Sequence, residues 1–269
     1  MTTKQPTFYV PHGGGPCFFM EWKMGPPDTW DALKAWLEKF PTTIAEPPRA
    51  LLVVSAHWEA KVPTVTTAPV TKLYFDYSGF PPHTYELTWP VPAAGDVASR
   101  VRELLQNAGI ESAANDSRGL DHGVFVPMKV SFPDAKIPTV QLSLRAGLDP
   151  EEHLKIGRAL APLRDEGVLI VGSGMSYHNM RGLMTGDGDA HASSKRFDEW
   201  LVNVARQNST ERDQALGAWK SAPLAHECHP REEHLIPLMV VAGAAMGDRG
   251  EAVFRGEVMN VAVSALRFG

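Results

Sequence analysis

The chain has 269 residues and a formal net charge of −5, with 43% hydrophobic and 21% charged residues. Those are the proportions of a soluble globular protein that can bury a sizeable core. No run of Lys or Arg exceeds two residues, so there is no electrostatic footprint for nucleic acid or for an anionic membrane surface. Cys17 and Cys228 are too few for a disulfide framework, and residues 1–6 lack the apolar core of a signal peptide. Apolar runs are too short to span a bilayer. A cytoplasmic protein without nucleic-acid or membrane partners is expected.

In chain order, residues 7–10 read as a first strand that runs into Pro11-His12-Gly13-Gly14-Gly15-Pro16. Residues 29–40 carry Trp30, Leu33, Trp36, Leu37 and Phe40 at helical spacing, and both tryptophans are expected in the core. A Pro/Thr-rich connection, 41–50, leads to the buried strand Leu51-Leu52-Val53-Val54. Ser55 and Ala56 are expected to end that strand, with His57 just beyond. Residues 63–70 alternate weakly, as an edge strand would. Residues 73–92 form a long loop rich in aromatics and prolines, a candidate lid or pocket wall.

A helix is expected over 96–108, ended by Gly109, then a turn at 118–123 bearing Asp121 and His122. Residues 137–144 read as a strand. Asp149-Pro150-Glu151-Glu152 opens a helix to about residue 160, with His153 facing solvent on its first turn. The strand at 168–171 is followed by Gly172-Ser173-Gly174 and His178. Further helices carry Phe197, Trp200, Leu201 and Val204, then span 211–220 and 235–246, and 258–264 reads as the last strand. Strands alternating with helices predict a single α/β domain over residues 1–269, a central mixed, mostly parallel sheet flanked by helices.

Four histidines, His12, His57, His178 and His234, thus fall at strand ends or at a helix start, where polar groups gather over a rigid apolar base. Neutral imidazoles from separate segments suit Zn(II), Fe(II) or copper. His12 to Gly15 also fits the oxyanion loop of lipase-like hydrolases, but Val171-Gly172-Ser173-Gly174-Met175 lacks both outer glycines of a nucleophile elbow. His226, Cys228 and His229 carry zinc-ligand chemistry without a second matching pair, and no H-E-x-x-H is present.

Five segments, Pro11 to Pro16, Ser55-Ala56-His57-Trp58-Glu59, Arg118 to Gly123, Gly172-Ser173-Gly174 with His178-Asn179, and Pro230 to Leu235, run in order over nearly the whole chain. Together they resemble the class III extradiol ring-cleavage dioxygenases, the protocatechuate 4,5-dioxygenase β-subunit superfamily, and within it the DOPA 4,5-dioxygenase branch. The resemblance implies His12, His57 and His234 as ligands of Fe(II), with Glu233 in place of His234 as the alternative, and Zn(II) as a metal the purified protein could carry. It implies His178 as acid/base or fourth ligand, and His122 as a second proton donor or substrate orienter. Glu59 would orient a ligating imidazole, and His83 and Tyr85 would shape the substrate pocket. The implied reaction opens a small aromatic diol, DOPA-like or another catecholic acid, with O2 to a muconic semialdehyde in a possible homo-oligomer. Two other readings stay open: a non-catalytic Memo-like binding protein on the same fold, and a zinc-dependent hydrolase.

Overall fold

Continuous apolar runs, rather than alternating ones, belong to strands covered on both faces, and three such runs, at 8–10, 51–54 and 168–171, occupy the middle of the sheet beside an alternating but equally buried strand at 139–144. The computed structural model describes residues 3–185 and 188–269. Its strands are β1 (Thr7–Pro11), β2 (Ala50–Ala60), β3 (Thr64–Thr66), β4 (Ala113–Asn115), β5 (Thr139–Arg145), β6 (Val168–Gly174), β7 (Gly250–Val258) and β8 (Val261–Phe268). They pair in the order β4-β3-β5-β2-β6-β1-β8-β7. The central β5, β2, β6 and β1 are mutually parallel, whereas β3 meets β5, and β8 meets β1 and β7, in antiparallel fashion.

The helices are α1 (Asp31–Lys39), α2 (Gly95–Asn107), α3 (His122–Ser131), α4 (Pro150–Leu160), α5 (Pro162–Asp165), α6 (Met180–Thr185), α7 (Gly188–Ala205), α8 (Ser209–Gly217), α9 (Ala225–Cys228) and α10 (Ile236–Ala245). Neighbouring residues of β6 show that both faces of the sheet are covered. A side chain at Gly172 would meet the Pro237 carbonyl of α10, while the Ser173 hydroxyl donates to the Gly123 carbonyl of α3. Every residue of α10 is buried. No helix among the described residues is long and apolar enough to cross a membrane.

Several elements differ from their sequence reading. The segment read as a turn at 118–123 runs through the N-cap Asp121 into the first residues of α3, a helix not anticipated because its Val-Phe-Val-Pro-Met run is buried nearly all round. Such a segment shows no polar face, and its β-branched residues and Pro127 argue locally against a helix. The closing strand is two strands, because Met259 and Asn260 both take positive φ (49° and 64°) and turn β7 back into β8. His153 does not face solvent. It is 1% exposed, its Nδ1–H donates to the Asp149 carbonyl at 2.6 Å, and its Nε2 accepts the Arg145 N–H at 3.0 Å.

Helices α4 and α10 pack backbone to backbone. A Cβ on Gly157 would lie 2.1 Å from the Val240 carbonyl oxygen, and one on Gly243 would lie 2.2 Å from that of Leu154. Helix propensity alone would make Gly157→Ala or Gly243→Ala stabilising by about 1 kcal/mol. Overpacking should reverse the sign, costing about 1–3 kcal/mol net in a urea titration.

Burial pushes the His153 imidazole down to about 4. The unfolded chain therefore binds a proton that the native imidazole refuses, and stability should fall as pH drops from about 6.5 towards about 4. Urea midpoints measured across that window should decline less steeply in His153→Gln than in the parent.

Candidate active site

The parallel strands deliver their carboxyl ends to one rim, and the histidines stand there. His12 follows β1 directly, and its N–H donates to the Gly174 carbonyl at the end of β6 (3.1 Å). His57 lies within β2 rather than beyond it, at a place where neighbouring strands release the backbone. Pairing with β6 stops at Ser55, and pairing with β5 jumps from Val54 to Glu59. Such a bulge re-aims a side chain without ending the strand. His122 opens α3, His178 lies four residues past β6, and His234 stands just before α10.

These rings converge. His12 and His57 face each other Nε2 to Nε2 at 3.2 Å. The ring centres of His57 and His122 are 3.9 Å apart, and that of His234 lies 5.1 Å from His12 and 4.8 Å from His57. His178 stacks on His234 at 3.3 Å. Donor atoms of His12, His57 and His122 all lie within 4.8 Å of one another, as do those of His178, Glu233 and His234. His122 thus stands closer to the expected ligands than a remote proton donor would.

What holds the rings is on their far sides. The His12 Nδ1–H donates to the Gly13 carbonyl at 2.8 Å. The His122 Nδ1–H donates to Asp76 at 2.8 Å. Both His234 and His178 present Nδ1 to the same oxygen of Glu233, at 3.0 and 3.2 Å. Carbonyls and carboxylates only accept, so the proton sits on Nδ1 and the Nε2 lone pair is left for the centre. The His234 Nε2 is buried and has no partner in the protein. An unpartnered buried nitrogen beside other imidazoles fits a cation, because an empty, dry site would leave a polar atom uncompensated.

The electrostatics agree. Burial lowers the His12, His57 and His234 imidazoles well below their usual range, and the neighbouring imidazoles lower them further. They are therefore neutral, as ligation requires. Burial would raise the carboxyls of Asp76 and Glu233, but their bonds to His122 and His178 hold both below the usual range.

Asp76 was not singled out in the sequence. Its only signal is an acid inside the aromatic loop. Asp121 serves elsewhere: it accepts from Ser55 at 2.7 Å, from Gln141 and from Arg118 at 3.2 Å, and burial raises its carboxyl. Arg118 also donates to the His57 carbonyl at 3.1 Å while lying over Trp58 and Tyr74. Glu59 touches no imidazole and instead pairs with Arg231 at 2.6 Å. The glutamate at 233 braces two rings through one oxygen and stands with His178 and His234 in the second group of metal-capable side chains.

A cavity of about 220 Å³ opens over the cluster, walled by His12, His57, His122, His178 and His234 together with Trp22, Trp30, Phe80 and several methionines. His83 and Tyr85 are not among its lining residues. The His83 ring faces the Phe19 carbonyl (3.2 Å), and the Tyr85 hydroxyl lies one layer behind, accepting the Phe80 N–H at 3.4 Å. Trp30, expected as core alone, is buried and also lines the cavity, where its six-membered ring edge would lie 3.2 Å from a Cβ at Gly14. The Ser173 hydroxyl is buried and spent on the Gly123 carbonyl, so it is not poised as the nucleophile that a lipase-like reading of the Gly13-Gly15 loop needs. The second histidine group fares no better as a zinc site, since the His229 ring faces the Ser176 carbonyl at 3.0 Å and the Cys228 thiol the Ser193 carbonyl at 3.4 Å.

Comparison with known proteins adds a family. The model described as the catalytic LigB subunit of aromatic ring-opening dioxygenase matches residues 6–264. A 4,5-DOPA dioxygenase extradiol of Beta vulgaris is 38% identical over 225 residues, covering 82% of this chain and 80% of that protein. A dioxygenase named tasH from Hapsidospora irregularis is 35% identical, covering 98% of this chain and 85% of that one. A crystal structure of an uncharacterized protein from Escherichia coli K12 superposes with a TM-score of 0.75 at 28% identity, covering 98% of this chain and 100% of that one.

The Gly172-Ser173-Gly174 segment is the end of β6 rather than a turn, and it has a different use from a nucleophile elbow. The His234 carbonyl is seized by the Tyr9 hydroxyl (2.6 Å) and the Met175 N–H (3.1 Å), and a Cβ on Gly174 would lie 2.1 Å from that oxygen. Gly174→Ala should displace His234 and weaken zinc binding, read by equilibrium dialysis, about tenfold or more. Tyr9→Phe should cost less, because the Met175 N–H still holds the carbonyl.

Proposed function

The chain belongs to the LigB family of aromatic ring-opening dioxygenase catalytic subunits, and from that premise we propose that it opens the ring of a substituted catechol with O2, using ferrous iron. The observation that carries this reading is the gathering of five histidines at one rim, with the buried His234 Nε2 unpartnered and the His12, His57 and His234 rings neutral. His12, His57 and His234 would hold the metal, with His122 beside them. Bound there, iron(II) would supply redox chemistry with O2 and lower the pKa of catechol hydroxyls.

The protein's own groups account for the remainder. Three ligands from one side leave the cavity face open for a diol. His178 presents Nε2 towards that face while Glu233 holds its Nδ1, so His178 takes the second phenolic proton and returns one later. Glu233 stabilises the imidazolium that forms. His122, steadied by Asp76 through both its ring and its backbone N–H (2.9 Å), orients the diol and serves as the second proton donor. The apolar wall keeps water from the opened ring and strengthens each charge–dipole contact inside.

The test is anaerobic purification, iron reconstitution and a catechol panel read by oxygen electrode and by the yellow ring-opened product. Iron should support oxygen uptake and zinc should not. Ester or amide hydrolysis restored by zinc alone would favour the hydrolase reading. No turnover with either metal would favour a binding protein. His178→Ala should lower turnover by at least about a hundredfold while sparing most iron binding, whereas loss of iron would make it a ligand.

A further inference from the structure

Resting on the dioxygenase reading, we infer that the site takes uncharged catechols bearing a hydrophobic substituent, rather than carboxylated ones. The wall over the histidines is built from Trp22, Trp30, Phe80, Leu183 and five methionines, Met24, Met175, Met180, Met184 and Met259. Methionine is unbranched and polarizable and packs adaptably against aromatic ligands. Among the described lining residues there is no Lys or Arg to pair a carboxylate. Burying an anion with no counter-charge is costly, whereas a hydrocarbon tail gains from the same surface.

Three further observations point the same way. Among the described residues six large hydrophobic side chains are exposed, and Met24 (47%), Met180 (57%) and Met184 (60%) all rim this one cavity. Exposed apolar side chains gathered at a site mouth are the usual mark of a ligand surface. Met259 joins them from the hairpin tip at φ 49°, a left-handed conformation unusual for a side chain of that size. Beyond the rim, Met24, Leu183, Met184 and Met259 continue into a second hollow of about 480 Å³. The charged side chains lining that hollow are Asp28 and Glu257, the latter paired with Lys195 at 3.2 Å, so no described lining residue is a cation that could hold a carboxylate, and there is room for a longer tail. The Trp22 and Trp30 indole N–H groups are buried without partners and add only neutral donors to the wall.

The test uses zinc-loaded protein, which binds without turning over. Calorimetry at pH 7.5 gives Kd for catechol, 4-methylcatechol, 4-butylcatechol and 3,4-dihydroxybenzoate. Affinity should rise about threefold to fourfold per added methylene, and 3,4-dihydroxybenzoate should bind at least about tenfold more weakly than 4-butylcatechol. Met184→Arg, at a position exposed enough to accept the charge, should reverse that order, while Met184→Leu should keep it. The iron-loaded enzyme should show the same ranking in kcat/KM. A flat response to chain length, or 3,4-dihydroxybenzoate binding at least as tightly as 4-butylcatechol, would overturn the inference and leave the dioxygenase reading standing. Failure of every catechol to bind or react would overturn both.

Discussion

Four of the five imidazoles in the cavity depend on one arrangement: an acceptor behind the ring that fixes its proton on Nδ1. Gly13 does this for His12, Asp76 for His122, and Glu233 for His234 and His178. A histidine left to itself exchanges tautomers and would offer a donor as readily as a lone pair. Pinned from behind, each ring presents the same kind of nitrogen, and the rings become a single acceptor set. The strands then contribute rigidity, because His12 and His57 stand on backbone that is hydrogen-bonded to β6 up to the last residues before them.

Neutrality follows from the same crowding. Several imidazoles within a few ångströms cannot all be charged, and burial already disfavours the charged form. The two carboxylates nearest them remain ionised because each spends its charge on imidazole N–H groups. The cavity therefore combines a floor of imidazoles, with His12, His57 and His234 held neutral, with walls of methionine and tryptophan. That contrast, polar at the base and hydrocarbon above, orients a ring that has its oxygens on one edge.

Much of this was legible before the fold was known, and the reasons are specific. Val-rich runs announced β2 and β6, and the histidines at their ends announced the rim. Ser-Ala-His-Trp-Glu and Gly-Leu-Asp-His-Gly marked His57 and His122. Other parts lacked a local signature. Helix α3 has no polar face, so periodicity could not find it. Asp76 is joined to His122 across 46 positions, and nothing near it in the chain reports that contact. Glu59 and Asp121 are acids beside histidines in sequence, yet their partners are Arg231, Ser55 and Gln141. Adjacency along a chain is a poor guide to adjacency in space. The methionine wall escaped notice because its members come from four separate segments.

Glu233 carries a consequence for how this centre changes over time. A single oxygen steadies both the His234 and the His178 rings, so the duties proposed for them, metal ligand and proton carrier, share one mechanical anchor. Drift at that residue would loosen them together, and neither could be retuned alone. Evolution of a new preference is thereby steered away from the floor and towards the pliable rim, where side chains can be exchanged without disturbing the anchor.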